Sequence, residues 1–313
     1  MTELDATQYL PPEFDHTPQT VVSLVPSMTE SLFDLNLGGR LLARTDYCIY
    51  PEDKVQAVPT LGGTKNPDIQ RIIALAPDIV ISNQEENRKE DVEALRAAGI
   101  TVWLTFPRTV ADVFKILWDT MYLFDETSMS ARVRLIEYTY DWVSNISAAK
   151  EADDPTTVFV PIWHDPLMTI NANTYMHDLL RVVGGTNVFA ERERRYPLKA
   201  DIGEADAYAA DDPRAAGRDT RYPRVTWDEV QAAQPDVILL PSEPFHYSSE
   251  HLPAFEQLDV PAAHNKRVHL VDGSYLSWHG TRLAYALDAL PKLFQEQADT
   301  SDTNAQTDTD AKT

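Results

Sequence analysis

Short apolar runs alternate with amphipathic stretches of helix length along most of this chain. Val21-Val22-Ser23-Leu24-Val25 is β-branched and apolar on both sides, the pattern of a strand buried on two faces, and it stops at Pro26. A helix is expected next, with Ser27 as its N-cap, Glu30 three residues on completing a capping box, and Gly38-Gly39 ending it with positive φ. The same reading gives a strand over 41–45 and a helix over 67–75 with Pro67 at its first position. A strand over 79–82, a helix over 87–98 stopped by Gly99 and a strand over 101–105 follow. Strands that alternate with helices point to a parallel sheet covered on both faces.

The pattern then repeats. The helix 27–37 ended by Gly38-Gly39, and the helix that runs into Pro77-Asp78 and the apolar Ile79-Val80-Ile81, return as 174–183 ended by Gly184-Gly185 and as 227–234 running into Pro235-Asp236 and Val237-Ile238-Leu239-Leu240. Two similar lobes imply a cleft between them. Residues 109–150 contain neither Gly nor Pro, and Val133, Ile136, Tyr140 and Val143 recur on one helix face. One helix over 126–150 would span about 37 Å and bridge the lobes, with no other helix of similar length to pack on it. The second lobe opens with Thr157-Val158-Phe159-Val160-Pro161-Ile162-Trp163. It carries roughly twelve more residues than the first between its repeated motifs, best placed in the polar run 198–222. That run holds Asp201, Glu204, Asp206, Asp211, Asp212 and Asp219 without the ligand order of an EF-hand, so it reads as a solvated loop.

A length of 313 residues and 43% apolar content allow two ordinary domains, each with its own core. The formal charge of -22 disfavours nucleic acid and anionic membrane as partners, because phosphate would be repelled. The single cysteine, Cys48, excludes an internal disulfide and a multi-cysteine metal site, and its expected role is packing. No basic segment followed by an apolar one opens the chain, which as written implies a cytoplasmic product unless the start lies upstream. The run 296–313 has too few apolar residues to offset ordering entropy and reads as a disordered acidic tail.

Pro26-Ser27-Met28-Thr29 stands where a dinucleotide fingerprint would place glycines, and no Walker loop, G-x-S-x-G elbow or H-E-x-x-H occurs. No catalytic residue and no metal-ligand set is therefore assigned. Ligands in open α/β sheets collect where strands end, and three clusters lie there. The first is 44–51 with the turn Gly62-Gly63-Thr64-Lys65, and the second is Ser82-Asn83-Gln84-Glu85-Glu86-Asn87. The third combines 161–166, Ser242-Glu243-Pro244-Phe245-His246-Tyr247 and 275–282. Tyr47, Asn83, Glu85, Trp163, His164, Tyr275, Trp278 and His279 are the candidate ligand-binding residues, since flat rings stack and imidazoles hydrogen-bond or ligate.

With these motifs in place the chain resembles the periplasmic substrate-binding proteins of the helical-backbone metal receptor superfamily, whose members include receptors for cobalamin, iron siderophores and haem. The resemblance rests on 23–30, Gly62-Gly63, the helix leading to Ala76-Pro77-Asp78, the helical region 109–150, and His177-Asp178-Leu179-Leu180 running to Gly184-Gly185-Thr186-Asn187. It implies an α/β fold of class III: two Rossmann-like lobes with parallel sheets, 21–108 and 151–295, joined by a rigid helical backbone over 109–150 and preceded by an extension over 1–20. It further implies a monomeric, non-catalytic, periplasmic or cell-surface component of an ABC importer. That component would bind a metal chelate, corrinoid before iron siderophore or haem, without a cofactor of its own, and would change shape little on binding. Its partners would be the permease and its ATPase, met through carboxylates atop each lobe. Gln70 stands at the first such position with Asp68 beside it, and Asp228 with Glu229 at the second. Gly63, Asn83 and Tyr275 stand near positions where cobalamin receptors carry tryptophan, a departure that leaves the chelate open. The absent leader leaves open a cytoplasmic metal-tetrapyrrole binder or enzyme on the same scaffold.

Overall fold

The computed structural model describes residues 6–151, 155–209 and 211–295; the tail expected over 296–313 lies outside the described residues. The first sheet contains β1 (Val21–Ser23), β2 (Leu41–Arg44), β3 (Ile79–Asn83) and β4 (Val102–Thr105), all parallel, in the order β2-β1-β3-β4. The second contains β5 (Thr156–Phe159), β6 (Gly185–Asn187), β7 (Val237–Pro241) and β8 (Val268–Val271), also parallel, in the order β8-β7-β5-β6. Read from the other edge, this is the same order as in the first sheet. The internal repeat of the sequence is thus a repeat of topology.

The repeat extends to hydrogen bonds. The carboxylate of Asp78 accepts from the Thr20 hydroxyl at 3.0 Å, and that of Asp236 accepts from the Thr157 hydroxyl at 2.7 Å. In each lobe the Pro-Asp pair therefore ties the start of the third strand to the start of the first. The residues before these prolines, Ala76 and Gln234, both take left-handed φ and end their helices.

The helices that cover and join the sheets include α1 (Pro26–Asp34), α2 (Ile69–Leu75), α3 (Lys89–Ala97), α4 (Val110–Leu123), α5 (Ser130–Glu151), α6 (Tyr175–Val183) and α7 (Trp227–Ala233). Helix α6 begins at a Thr174 cap and ends at Gly184 with φ 99°, as its sequence implies. Helix α1 differs from its expected form. Its N-cap is Val25 with no side-chain bond, Pro26 opens it, and the left-handed residue beyond its end is Asn36 rather than a glycine. Ser27 and Glu30 are not a capping box because both side chains turn to the other lobe. Helix α2 begins after Asp68, which caps it by accepting from the Arg71 N–H at 3.0 Å, while Pro67 pairs with Gly62 in a two-strand ladder.

The helix expected over 126–150 is present as α5, but it does not stand alone, because α4 precedes it and packs on it. Asp125, with φ 48°, lies in the reversal between α4 and α5, and no glycine or proline marks this break in the sequence. The 22-residue α5 packs antiparallel on α4, with Phe114 edge-on to Tyr140 at 5.3 Å and Trp118 donating to Glu137 at 2.7 Å. Val133, Ile136 and Val143 are buried, as their spacing requires.

One outer face of each sheet has a separate core: Ile72 of α2 and Leu95 of α3 lie against Val22 and Val80, and Val230 of α7 lies against Ile238 and Leu240. The inner faces share one continuous apolar cluster that runs from Val21, Met28 and Leu32 through Leu117 and Ile136 to Leu179 and Leu239. Polar contacts fix its register. The Ser27 hydroxyl lies 2.9 Å from His279 Nδ1, and the Ser31 hydroxyl accepts from the Thr281 N–H at 3.0 Å. Between them Gly280 has φ 82°, and a Cβ there would lie 2.2 Å from Ser31 Oγ, so only glycine lets α1 approach. Arg282 Nη1 donates to Glu30 Oε1 at 3.0 Å, both side chains being over nine-tenths buried. Burial raises the Glu30 carboxyl to about 7 despite the opposing attraction of Arg282. Replacing Arg282 by Leu should cost about 3–5 kcal/mol in urea unfolding, because Glu30 loses its partner in the interior. Adding Glu30→Gln should recover part of the loss, and additive costs would show that the two groups are not coupled.

Candidate functional site: the interlobe cleft

The loops after β2 on one side and after β7 and β8 on the other enclose a cavity of about 470 Å³. Ile49 and Tyr50 line it from the first lobe; Glu243, Tyr247, Asp272 and Trp278 are among its lining residues from the second. The Trp278 ring meets Tyr50 edge-on at 5.7 Å, and the Arg282 guanidinium sits 4.1 Å from the Tyr50 ring centre. Arg282 thus supports a cavity wall with one face while holding Glu30 with an edge. Its Nη2 also reaches Asp272 at 3.5 Å. Gly273 adjoins the wall closely: a Cβ there would lie 2.5 Å from the Glu243 backbone nitrogen.

Carboxylates dominate the polar part of the cleft. After β3, Asn83 Oδ1 accepts from the N–H groups of Glu85 and Glu86 at 2.8 and 3.4 Å, and Asn87 Oδ1 accepts from the Asn83 N–H at 2.8 Å. The two asparagines build the turn that presents the two glutamates. Glu85 crosses the cleft to Arg221 and the Tyr222 hydroxyl, both at 2.5 Å. The run 198–222 is therefore not wholly a solvated loop, since its last residues bridge the lobes. Three of its carboxylates are engaged by the chain itself: Asp212 by Arg214, Asp219 by Arg221, and buried Asp201 by the N–H groups of Arg195 and Arg224. Glu86 is raised to about 8 by burial, then by the charges of Glu243 and Glu85, with Lys65 opposing. Burial also raises Glu243, which accepts from the Ser277 hydroxyl at 2.6 Å.

The eight candidate residues fall at several places. Trp278 lines the cavity, and Tyr275 stands behind it against Arg282 at 5.4 Å. Tyr47 is 63% exposed and Trp163 43% exposed, the latter on Phe245 at 5.7 Å and so two rings from the cavity through Tyr247. His164 packs among Phe245, His251 and Trp227 in the second lobe, at 5.6, 5.2 and 6.1 Å. His279 is buried at the lobe contact, where burial lowers it to about 4. Asn83 is buried inside its turn and Glu85 forms the bridge already described. Of the surface carboxylates, Asp68 caps α2, Asp228 is exposed on α7, and Glu229 is held in a capping box and by Arg192 at 3.3 Å. Cys48 is buried and receives a hydrogen bond from the Thr29 hydroxyl at 3.1 Å.

Sequence reasoning missed Tyr50, Glu86, Glu243 and Asp272 as cleft residues, and Arg221 and Arg282 as the cations that balance it. Tyr50, Glu86, Glu243 and Arg282 lie inside the clusters quoted, so the loops were legible but the choice within them was not. No local signal marked Arg221.

The periplasmic binding protein family matches residues 21–268, nearly the whole of both sheets and the helices between them. The chain belongs to this family. Its curated relatives include a vitamin B12-binding protein of Vibrio campbellii, 22% identical over 282 residues that cover 88% of this chain and 90% of the relative. A vitamin B12-binding protein of Vibrio parahaemolyticus is 26% identical over 184 residues, and the match covers 57% of this chain and 64% of that one. Similar solved structures include the periplasmic vitamin B12-binding protein BtuF of Vibrio cholerae, with TM-score 0.68, 18% identity and coverage of 89% and 97% of the two chains. The periplasmic haem-binding protein RhuT of Roseiflexus, with TM-score 0.66, 19% identity and coverage of 88% and 98%, shares the fold equally. The likeness establishes the class III periplasmic-binding-protein fold.

The raised Glu86 carboxyl has a consequence for stability. Between its ordinary value of 4.5 and about 8 the unfolded chain has released this proton and the folded chain has not, so stability falls as the pH rises through that window. Glu86→Gln should therefore melt higher than the parent by a margin that grows from pH 5 to pH 8. A margin that is constant or shrinks would contradict the burial of this carboxyl.

Proposed function

We propose that this chain is the substrate-binding component of an ABC importer and that it carries a metal chelate in the interlobe cleft, a corrinoid first and an iron siderophore or haem second. The observation that carries the reading is the cavity itself, placed between two lobes and walled by Tyr50 and Trp278. Names of relatives at similar distance, for vitamin B12 and for haem, support the ligand class. A tetrapyrrole held here would reach outward to the exposed rings of Tyr47 and Trp163, while Tyr275 backs the wall. Asn83 and His279 would act by holding their surroundings and His164 by supporting Phe245. The protein would work as a monomer outside the cytoplasmic membrane and deliver to a permease coupled to its ATPase.

Asp68 and Asp228 sit at the N-terminal ends of corresponding helices in the two lobes, where a carboxylate is stabilised and stays exposed. Through them the protein would meet cationic groups of the permease, a contact that steers association and weakens with salt.

Mass spectrometry of ligand retained by the purified protein, followed by calorimetry with cyanocobalamin and haemin, tests the ligand class. Trp278→Ala should weaken the bound chelate at least tenfold, about 1.4 kcal/mol. Binding unaffected by this change, or no chelate bound at all, would refute the cleft as the site. Asp68→Asn with Asp228→Asn should lower uptake by the reconstituted importer and leave chelate affinity unchanged; full uptake would refute the docking role.

A further inference from the structure

Helix α5 turns Val133, Ile136 and Val143 inward onto the shared core, and its opposite face is apolar as well. Leu135 is 66% exposed, Tyr138 70%, Trp142 67% and Ile146 51%, and the exposed Ala131 and Ala149 extend the row at either end. At 100° per residue these six positions share an arc of about 80° that runs for roughly five turns, about 27 Å. The charged side chains of the helix fall outside it: Arg132 reaches Asp34, Arg134 pairs with Glu137, and Lys150 turns back to the Phe294 carbonyl. In a chain that is 24% charged, five exposed turns without a charge mark a surface that meets something other than water.

The arc reads alike in both directions. Ala131 matches Ala149, Leu135 matches Ile146 and Tyr138 matches Trp142, each couple centred on or beside Tyr140. A surface that meets its own copy about a two-fold axis must have this property, because residue i meets j and j meets i, whereas a surface built for a lipid layer or an unrelated protein need not. We propose that two copies of this chain pair reversibly through α5, the helices antiparallel about a two-fold axis level with Tyr140, so that Leu135 of each copy packs on Ile146 of the other and Tyr138 on Trp142. The four large side chains expose about 450 Å² per copy and so bury roughly 900 Å² in a pair. With the alanines added this stands at the low end of specific interfaces, so the pair forms at about 10 μM and above rather than at nanomolar concentration. The run 296–313 cannot cover the arc in its place, because it holds no apolar residue larger than alanine. The pairing is independent of the chelate reading: α5 carries neither the cavity residues nor Asp68 and Asp228, so each copy remains the working unit for delivery. The formal charge of -22 on each copy opposes the pairing, so association should tighten as salt rises, the reverse of the carboxylate contact with a permease.

Sedimentation velocity of the full chain from micromolar to millimolar concentration, in low and in molar salt, tests the pairing. The parent should pass from monomer to dimer, and at lower concentration in the higher salt. Trp142→Lys and Leu135→Glu should each weaken the dimer at least tenfold and leave the melting temperature unchanged, since both side chains are exposed in the single copy. Oxidation with copper phenanthroline reads the direction: Leu135→Cys mixed with Ile146→Cys should cross-link, each alone should not, and buried Cys48 should take no part. A parent that stays monomeric at millimolar concentration in molar salt, or a dimer untouched by both charge substitutions, overturns the proposal. Cross-linking of either cysteine variant with itself, at the yield of the mixture, overturns the antiparallel arrangement. A monomer that instead floats with phosphatidylcholine vesicles, and no longer does so after Trp142→Lys, assigns the face to a lipid surface and overturns the pairing as well.

Discussion

The contact of α1 with residues 279–282 is the constraint on which the rest of the molecule depends. It brings one helix of the first lobe onto a turn of the second through Ser27, Ser31 and Glu30, and it needs Gly280 to do so. Arg282 gives it a second consequence. The guanidinium that neutralises Glu30 inside the contact also lies against Tyr50, so the wall of the cleft cavity is built on the joint between the lobes. A buried ion pair is a poor source of net stability, because two desolvation penalties offset the attraction. Its effect here is to fix register: the pair can be satisfied only with the lobes in one relation.

The same joint bears on how the protein handles its ligand. Lobes that share a continuous apolar cluster along α1, α4, α5 and α6 cannot separate without exposing it, and the antiparallel α4–α5 pair resists bending because a kink breaks backbone hydrogen bonds. Movement is left to the cleft's rim, where Glu85 meets Arg221 and Tyr222 at the end of the polar run particular to the second lobe. That bridge is a surface interaction with Arg221 shared between two carboxylates, so water and ligand groups can compete for it.

Much of this was legible in the sequence, and the gaps have physical causes. Two parallel sheets follow from apolar runs such as Val237-Ile238-Leu239-Leu240, and the doubled Pro-Asp motif located the repeat that the structure shows as identical strand order. Helix α5 was legible close to its true span, but its antiparallel partner α4 was not, because Asp125 reverses the chain in a left-handed conformation with no glycine to announce it. Ser27 and Glu30 match a capping box in spacing, but tertiary partners outcompeted the local backbone for both side chains. Strand ends gave the loops of the site, yet the choice among neighbours depends on long-range geometry: Tyr50 rather than Tyr47, and Trp278 rather than His279, lines the cavity.

The central claim, that a shared core fixes the two lobes and ligand is captured without closure, is tested most directly by small-angle X-ray scattering on the full chain with and without saturating chelate, using cyanocobalamin if it binds. The account predicts that the radius of gyration and the pair-distance distribution coincide within error in the two states. A ligand-dependent compaction of the particle would contradict it and would show that the α1 contact opens.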